Sequence, residues 1–197
     1  MPTKTNHTLK NSFYFITITC YKWYSLLKSA DVYDYFPTWV THLTKGGVLV
    51  CGFVFMPNHL HLLVFVSSSN ANLNTLIGNS KRFLAYEIVK RLKEKRKTVV
   101  LEKLRQGVRP EAQQKGKKHQ VFQPSFDAKE VQGEDEIVRV LDYMHHNPVS
   151  KKWRLVHDFL YYPYSSAVYY ENRQQAYIPV VDYRDVWEYQ ASASSKE

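Results

Sequence analysis

The chain of 197 residues is 44% hydrophobic, which suits one domain with a real core, or one domain with an extension. It holds no apolar run of the roughly eighteen residues a membrane span needs, and Met1-Pro2-Thr3-Lys4-Thr5-Asn6-His7 lacks an apolar signal region, so a soluble cytoplasmic product with no membrane partner is expected. A formal charge of +9 argues for a polyanionic partner, and it is unevenly placed: Lys81 to Lys118 contain fourteen Lys or Arg against four Glu, leaving the remainder near neutral.

In chain order, Ser12 to Tyr21 reads as a first strand, with aromatic and β-branched residues from Phe13 to Thr19. Lys22-Trp23-Tyr24 forms a basic aromatic turn, and a helix is expected from about Ala30 to Lys45, stopped by Gly46-Gly47. Gly47 to Met56 and His59 to Val66 make an antiparallel hairpin around Pro57-Asn58. The two cysteines, Cys20 and Cys51, fall in strands and have no metal or redox spacing, so they read as small buried hydrophobes.

Ser67-Ser68-Ser69-Asn70-Ala71-Asn72 is a turn rich in capping residues. Leu73, Ile77, Leu84, Ile88 and Leu92 then follow helical spacing, with Lys81, Arg82, Lys90 and Arg91 decorating the helix. Periodicity fades over 93–118 around Gly107, Pro110 and Gly116, which predicts a mobile basic loop that orders on nucleic acid. Val121 to Phe126 is expected to start a fourth strand, at an edge or bulge because of Pro124. Strand, helix, strand, strand, helix, strand is the ferredoxin-like, RRM-like split βαβ order. It predicts an α+β fold whose antiparallel sheet has its helices on one face and the other face open.

A further helix follows the fourth strand. Glu134, Asp135 and Glu136 occupy its first turn, where the helix dipole favours negative charge, and Ile137, Val140 or Leu141, and Met144 form its buried stripe. Pro148 is expected to push Asn147 out of α geometry and end it. Residues 1–155 then form the main domain. Residues 156–197 form an aromatic-rich extension packed on it, whose Tyr161, Tyr162, Tyr164, Tyr169 and Tyr170, with the neighbouring Trp153, brace the helix or stack on unpaired bases.

The chemistry lies in two places. His59 and His61 are two apart in a strand, so they share one face, with Cα atoms roughly 7 Å apart, while Leu60, Leu62 and Val64 take the other. Two imidazoles on one side can converge on one ion, or both rings can simply face water. On the later helix Tyr143 and Asn147 are one turn apart, together with Arg139 and His146. Taken alone, Asn147 also reads as a helix C-terminal residue and Tyr143 as filler at a core edge.

Three blocks carry a family resemblance: Met56-Pro57-Asn58-His59-Leu60-His61-Leu62-Leu63-Val64, Asp142-Tyr143-Met144-His145-His146-Asn147-Pro148-Val149 and Tyr162-Pro163-Tyr164-Ser165-Ser166. In this order and separation the sequence resembles the single-tyrosine HUH transposases, and most of all their REP-associated tyrosine transposase branch, from about Phe13 to Tyr170. The resemblance implies His59 and His61 as metal ligands with Asn147 as a polar ligand, Mg²⁺ or Mn²⁺ as the ion, and Tyr143 as nucleophile. It implies metal-dependent cleavage and rejoining of one DNA strand near a hairpin through a 5′-phosphotyrosine and a free 3′-hydroxyl, by a monomer or homodimer. Donor softness alone equally admits Zn²⁺.

Lys81, Arg82, Arg139, Lys115, Lys117 and Lys118 are the expected nucleic-acid contacts, and His146 an accessory group. Phe122-Gln123-Pro124-Ser125 departs from the aromatic-Gln-basic pattern of the family's fourth strand, and the basic insertion before it is longer than usual. The alternatives are a domesticated hairpin-DNA-binding protein that no longer transposes, and a metal-dependent protein that binds or cleaves RNA on the same sheet.

Overall fold

The structure is a computed structural model and describes residues 11–67 and 72–194. Its centre is an antiparallel sheet of β1 (Ser12–Thr19), β2 (Val48–Phe55), β3 (His59–Val66) and β4 (Asp127–Val131), in spatial order β2-β3-β1-β4. With helices between β1 and β2 and between β3 and β4, this is the split βαβ arrangement.

Alternation along β1 and β3 separates two cores. Tyr14, Ile16 and Ile18 join Leu60, Leu62 and Val64 on one face, covered by α2 (Phe36–Thr44) and α3 (Leu73–Glu94) through Phe36, Trp39, Leu43, Ile77, Leu84 and Ile88. Trp39 can be fully buried there because its indole N–H donates to the Ser80 carbonyl at 2.8 Å. On the opposite face Phe13, Leu63 and Phe65 pack against Ile137, Leu141 and Met144 of α6 (Glu134–His146). A register shift between Val50 and Gly52 marks a bulge in β2, and Gly52 lies directly under α6. A Cβ on Gly52 would stand 2.6 Å from Leu141 Cδ2 and 3.1 Å from Met144 Cε, so close approach of the helix requires glycine here.

The segment after α6 closes the outer edge of β2. Phe55 N–H donates to the Tyr164 carbonyl, Ser166 N–H to Phe53 and Val181 N–H to Val50, which removes a row of unpaired strand groups. Tyr162 and Tyr170 donate their hydroxyls to the carbonyls of Phe55 and Cys51, at 2.7 and 2.6 Å, so these two aromatics brace the edge. Two helices complete the chain, α7 (Ala167–Asn172) and α8 (Tyr183–Ser194).

The structure departs from the sequence reading in five places. The helix expected over Ala30–Lys45 is broken into α1 (Leu26–Ala30), a 3-10 turn at Tyr33–Tyr35 and α2. Asp31, at φ 56°, ends the first piece, and Pro37 starts the last, where its missing N–H costs nothing. The basic stretch 93–118 is not a loop: it holds the end of α3, α4 (Thr98–Gln106) and α5 (Pro110–Gln114). Leu104 is fully buried and its carbonyl accepts the Gln120 N–H, which ties the excursion down. The fourth strand begins at Asp127 rather than near Val121, because Pro124 cannot donate to a ladder, and Phe122 makes only a single bridge with Cys20. Asn147 keeps α geometry (φ −55°, ψ −45°), and Pro148 lies inside a 3-10 turn, Asn147–Val149, that prolongs α6. The face expected to be open is covered by α6 over β2 and β3.

The helix start at Asn72 is as expected, its side chain accepting the Thr75 N–H, while residues 68–71 of the preceding capping turn lie outside the described residues. Among the described residues no helix is long and apolar enough to cross a membrane.

Candidate functional site

Strand register brings the first groups together. His59 and His61 start β3, opposite Thr19 and Thr17 of β1, and their ring centroids are 4.8 Å apart. Both are buried, at 3% and 4% exposure, so they do not face water. Burial, reinforced by Lys152 beside His59 and by His59 beside His61, lowers their pKa values to about 4 and about 3. Both rings are therefore neutral near pH 7, the state in which imidazole is a ligand or a base.

Their tautomers follow from their partners. Asn58 donates its side-chain N–H to the Trp23 carbonyl, which can only accept, so the oxygen of the same amide faces His59 Nδ1 at 2.7 Å. Nδ1 then carries the proton and Nε2 of His59 keeps its lone pair. His61 Nδ1 meets the Thr17 hydroxyl at 2.9 Å, and its Nε2 meets Asn147 Nδ2, a donor, at 3.2 Å, which makes Nε2 the unprotonated nitrogen there as well. Such partners, fixing the ligating face of each ring, are the usual support of metal-binding histidine.

α6 supplies the rest. Its buried stripe turns Tyr143 and Asn147 toward the histidines: Tyr143, 56% exposed, has its ring 5.6 Å from His61 and 6.0 Å from Phe15, while Asn147 is buried against His61. Asn147 is held by its helical turn, and a 180° amide rotation would present its oxygen to the same space. The donor set is then two imidazole nitrogens and one amide oxygen, compatible with a divalent cation. Among the described residues no group of three or more His, Cys, Asp or Glu could hold a metal, so an ion here depends on the Asn147 amide.

His146 is not drawn into this cluster. Its Nδ1 bonds to Asp142, and its ring packs on Phe159 at 4.2 Å. His145 points into the second core and bonds the Ser166 hydroxyl at 2.9 Å, its pKa lowered by burial to about 4. Burial pushes Cys20 and Cys51 up to about 12, which leaves both as inert thiols.

The expected phosphate contacts divide. Arg139 is exposed one turn before Tyr143. Arg82, Lys115, Lys117 and Lys118 line a wide groove of about 1930 Å³ between α3 and residues 115–128. Lys81 borders the same groove, but its ammonium donates to the carbonyls of Gln123 and Ser125 at 3.0 and 2.9 Å. Burial and Lys117 lower its pKa to about 8. It clamps the 122–126 segment, a structural role that the sequence did not suggest. The Gln123 N–H donates to the Thr19 carbonyl, so this segment connects the groove to the strand end beside His59.

Thr17, Asn58 and Trp23 support the candidate site through hydrogen bonds, and none of them stands out in the sequence as a site residue. Asn58 adjoins His59 and was open to suspicion, but Thr17 is assigned by a strand register that no local pattern encodes.

No protein-family profile matches the chain, and no curated protein matches it significantly. Among solved structures it is similar to a REP-associated tyrosine transposase solved bound to a REP hairpin, at 16% identity and a TM-score of 0.52 over 85% of this chain and 83% of that one. A candidate transposase from Deinococcus radiodurans R1 shares 14% identity over 73% of this chain and 96% of its own, with a TM-score of 0.37. At these identities the first likeness establishes a shared fold: a four-stranded antiparallel sheet with helices in an α+β domain.

Proposed function

We propose that this protein is a REP-associated tyrosine transposase of the single-tyrosine HUH class, a metal-dependent nuclease and strand transferase that recognises hairpin DNA and cuts one strand through a covalent tyrosine intermediate. The observation that carries the reading is the convergence of His59, His61, Asn147 and Tyr143, from a strand and a helix far apart in sequence, with both imidazoles neutral and unprotonated at Nε2, that of His61 turned to the Asn147 amide. The fold shared with a transposase solved on a REP hairpin supports the same reading.

His59, His61 and Asn147 would hold a divalent cation, Mg²⁺ or Mn²⁺, whose contribution is to polarise a non-bridging oxygen of the scissile phosphate. The remaining work falls to the chain. Tyr143, exposed beside the histidines, attacks phosphorus in line: its Oη–P bond forms, the P–O3′ bond breaks, the phenolic proton passes to solvent water and the departing 3′-oxygen takes a proton from solvent. The phosphodiester energy is kept in the phosphotyrosine, so a 3′-hydroxyl can reverse the step without ATP. Arg139 and the basic groove hold the strand through phosphates, a sequence-independent contribution.

Matched DNA and RNA hairpins with single-stranded flanks test this reading. Cleavage of DNA alone, dependent on Mg²⁺ or Mn²⁺ and abolished by chelation, is expected. Binding without cleavage would favour a pure hairpin-binding protein, and cleavage of RNA alone would overturn the proposal.

A further inference from the structure

The candidate centre has an aromatic flank that the proposed chemistry leaves unused. Trp23 and Trp153 bracket His59, with ring centroids 5.5 and 5.4 Å from the imidazole. Lys152 Nζ stands 4.7 Å from the Trp23 ring and 4.8 Å from the Trp153 ring, a cation over two indoles at once. The indole of Trp23 is 48% exposed and Lys152 is exposed, so this seat opens to solvent beside a buried pair of histidines.

The backbone beneath it is unusual. Lys22 and Trp23 have φ of 50° and 58°, consecutive left-handed residues that are neither Gly nor Asn. Such strain persists only where surrounding structure imposes it, and it concentrates at functional sites. Part of the reason is visible: the Trp23 carbonyl accepts from Asn58, which orients His59. The carbonyl alone does not require a large aromatic at position 23, since any residue supplies one. The indole needs its own explanation.

An aromatic face with an ammonium above it matches both halves of a nucleotide, a π-surface and an anion. We propose that Trp23, Trp153 and Lys152 seat the unpaired nucleotide adjoining the scissile phosphate, its base stacking on the indole of Trp23 and its phosphate drawing Lys152 off the rings. The inference rests on the reading of the histidine–tyrosine cluster as a DNA-cleaving centre. Because every base has a π-face, the seat is tolerant of sequence and fixes where the strand lies rather than which base is read.

The test measures binding of a hairpin oligonucleotide with a single-stranded flank, in which an abasic nucleotide is stepped through the flank, to the full chain carrying Tyr143→Phe. One abasic position is expected to weaken binding roughly 5- to 100-fold, the range for loss of one stacked base. Adding Trp23→Ala should remove that penalty, Trp23→Phe should largely restore it, and Lys152→Gln should flatten the salt slope by roughly 0.7. The exposed Lys152→Gln variant keeps the test intact if the tryptophan substitutions disturb folding. An abasic penalty undiminished in Trp23→Ala, or a salt slope unchanged by Lys152→Gln, would overturn the seat. Covalent adduct formation by the unsubstituted chain is read separately. Adduct without any abasic dependence rejects the seat alone, abasic dependence without adduct rejects the cleavage reading alone, and no oligonucleotide binding rejects both.

Discussion

His59 and His61 are each fixed at Nδ1, by Asn58 and Thr17, which leaves Nε2 unprotonated and makes those partners testable. Asn58→Ala and Thr17→Val each release an imidazole from its fixed tautomer, and each is expected to weaken Mn²⁺ binding by about 10–100-fold without touching a ligand. Calorimetric titration measures this, and unchanged affinity would show that the hydrogen bonds are incidental. The pH dependence follows from the same burial. His59, His61 and His145 have folded-state pKa values lowered to about 4, about 3 and about 4, below the usual histidine value of about 6.5. The unfolded chain therefore binds more protons than the folded one between these limits, so stability rises with pH there. The contribution, on the order of a few kcal/mol for each ring, is fully present above about pH 6.5 and is lost as pH falls toward 4 and below. Urea denaturation at pH 7.5 and 5 should show the loss, and His145→Asn should shrink it. Equal stability at the two pH values would contradict the burial of neutral rings. At this scale the sequence made the histidine pair legible because a strand's period of two is rigid. Thr17 and the buried orientation of His145 were not legible, since both depend on pairing between distant segments.

Docking of α6 on the sheet positions Tyr143 and Asn147, and Gly52 at the β2 bulge sets how closely it can dock. Gly52→Val is expected to displace Leu141 and Met144 outward and to reduce cleavage far more than hairpin binding, because α6 carries Tyr143, the proposed nucleophile, but not the basic groove. Parallel cleavage and binding assays check this, and equal losses in both would mean general unfolding. The groove makes the complementary prediction. Replacing Lys115, Lys117 and Lys118 by Gln should flatten the salt dependence by roughly 0.7 for each single-strand phosphate no longer neutralised, and should weaken cognate and scrambled hairpins alike, leaving the cut position unchanged. A weakening confined to the cognate hairpin would make these lysines sequence readers. β3 was legible to the residue and α6 nearly so, because a continuous apolar run bounded by Pro57-Asn58 and Ser67, and an acidic first turn, are strong local signals. The helices in the basic stretch were hidden by Gly107 and Pro110, which punctuate them, and they are anchored by two buried residues, Leu104 and Val108. β4 was misplaced because it has little apolar character and is defined by pairing with β1 rather than by its own pattern, burying only Val131.

The whole molecule separates its tasks across the sheet. One face is a conventional core under α2 and α3, and the other carries the histidines and the tyrosine helix. The surplus positive charge runs along α3 and residues 115–118 to the strand end where the two faces meet. That charge is partly offset within the fold, since Asp34 pairs with Arg91 and Asp31 with Lys95, so the field is concentrated on the groove rather than spread over the segment as the raw count suggests. The C-terminal segment is integral to this arrangement, because it closes the β2 edge and supplies Ser166 to His145. Whether Tyr143 attacks DNA beside His59, His61 and Asn147 can be read directly from the covalent product. The protein is incubated with a hairpin oligonucleotide and Mn²⁺, denatured and digested, and the peptide carrying nucleotide is identified by mass spectrometry. DNA joined through a 5′-phosphate to Tyr143 is expected, absent in Tyr143→Phe and absent with chelator. A phosphotyrosine at another of the fifteen tyrosines, or cleavage with no covalent species at all, would contradict it.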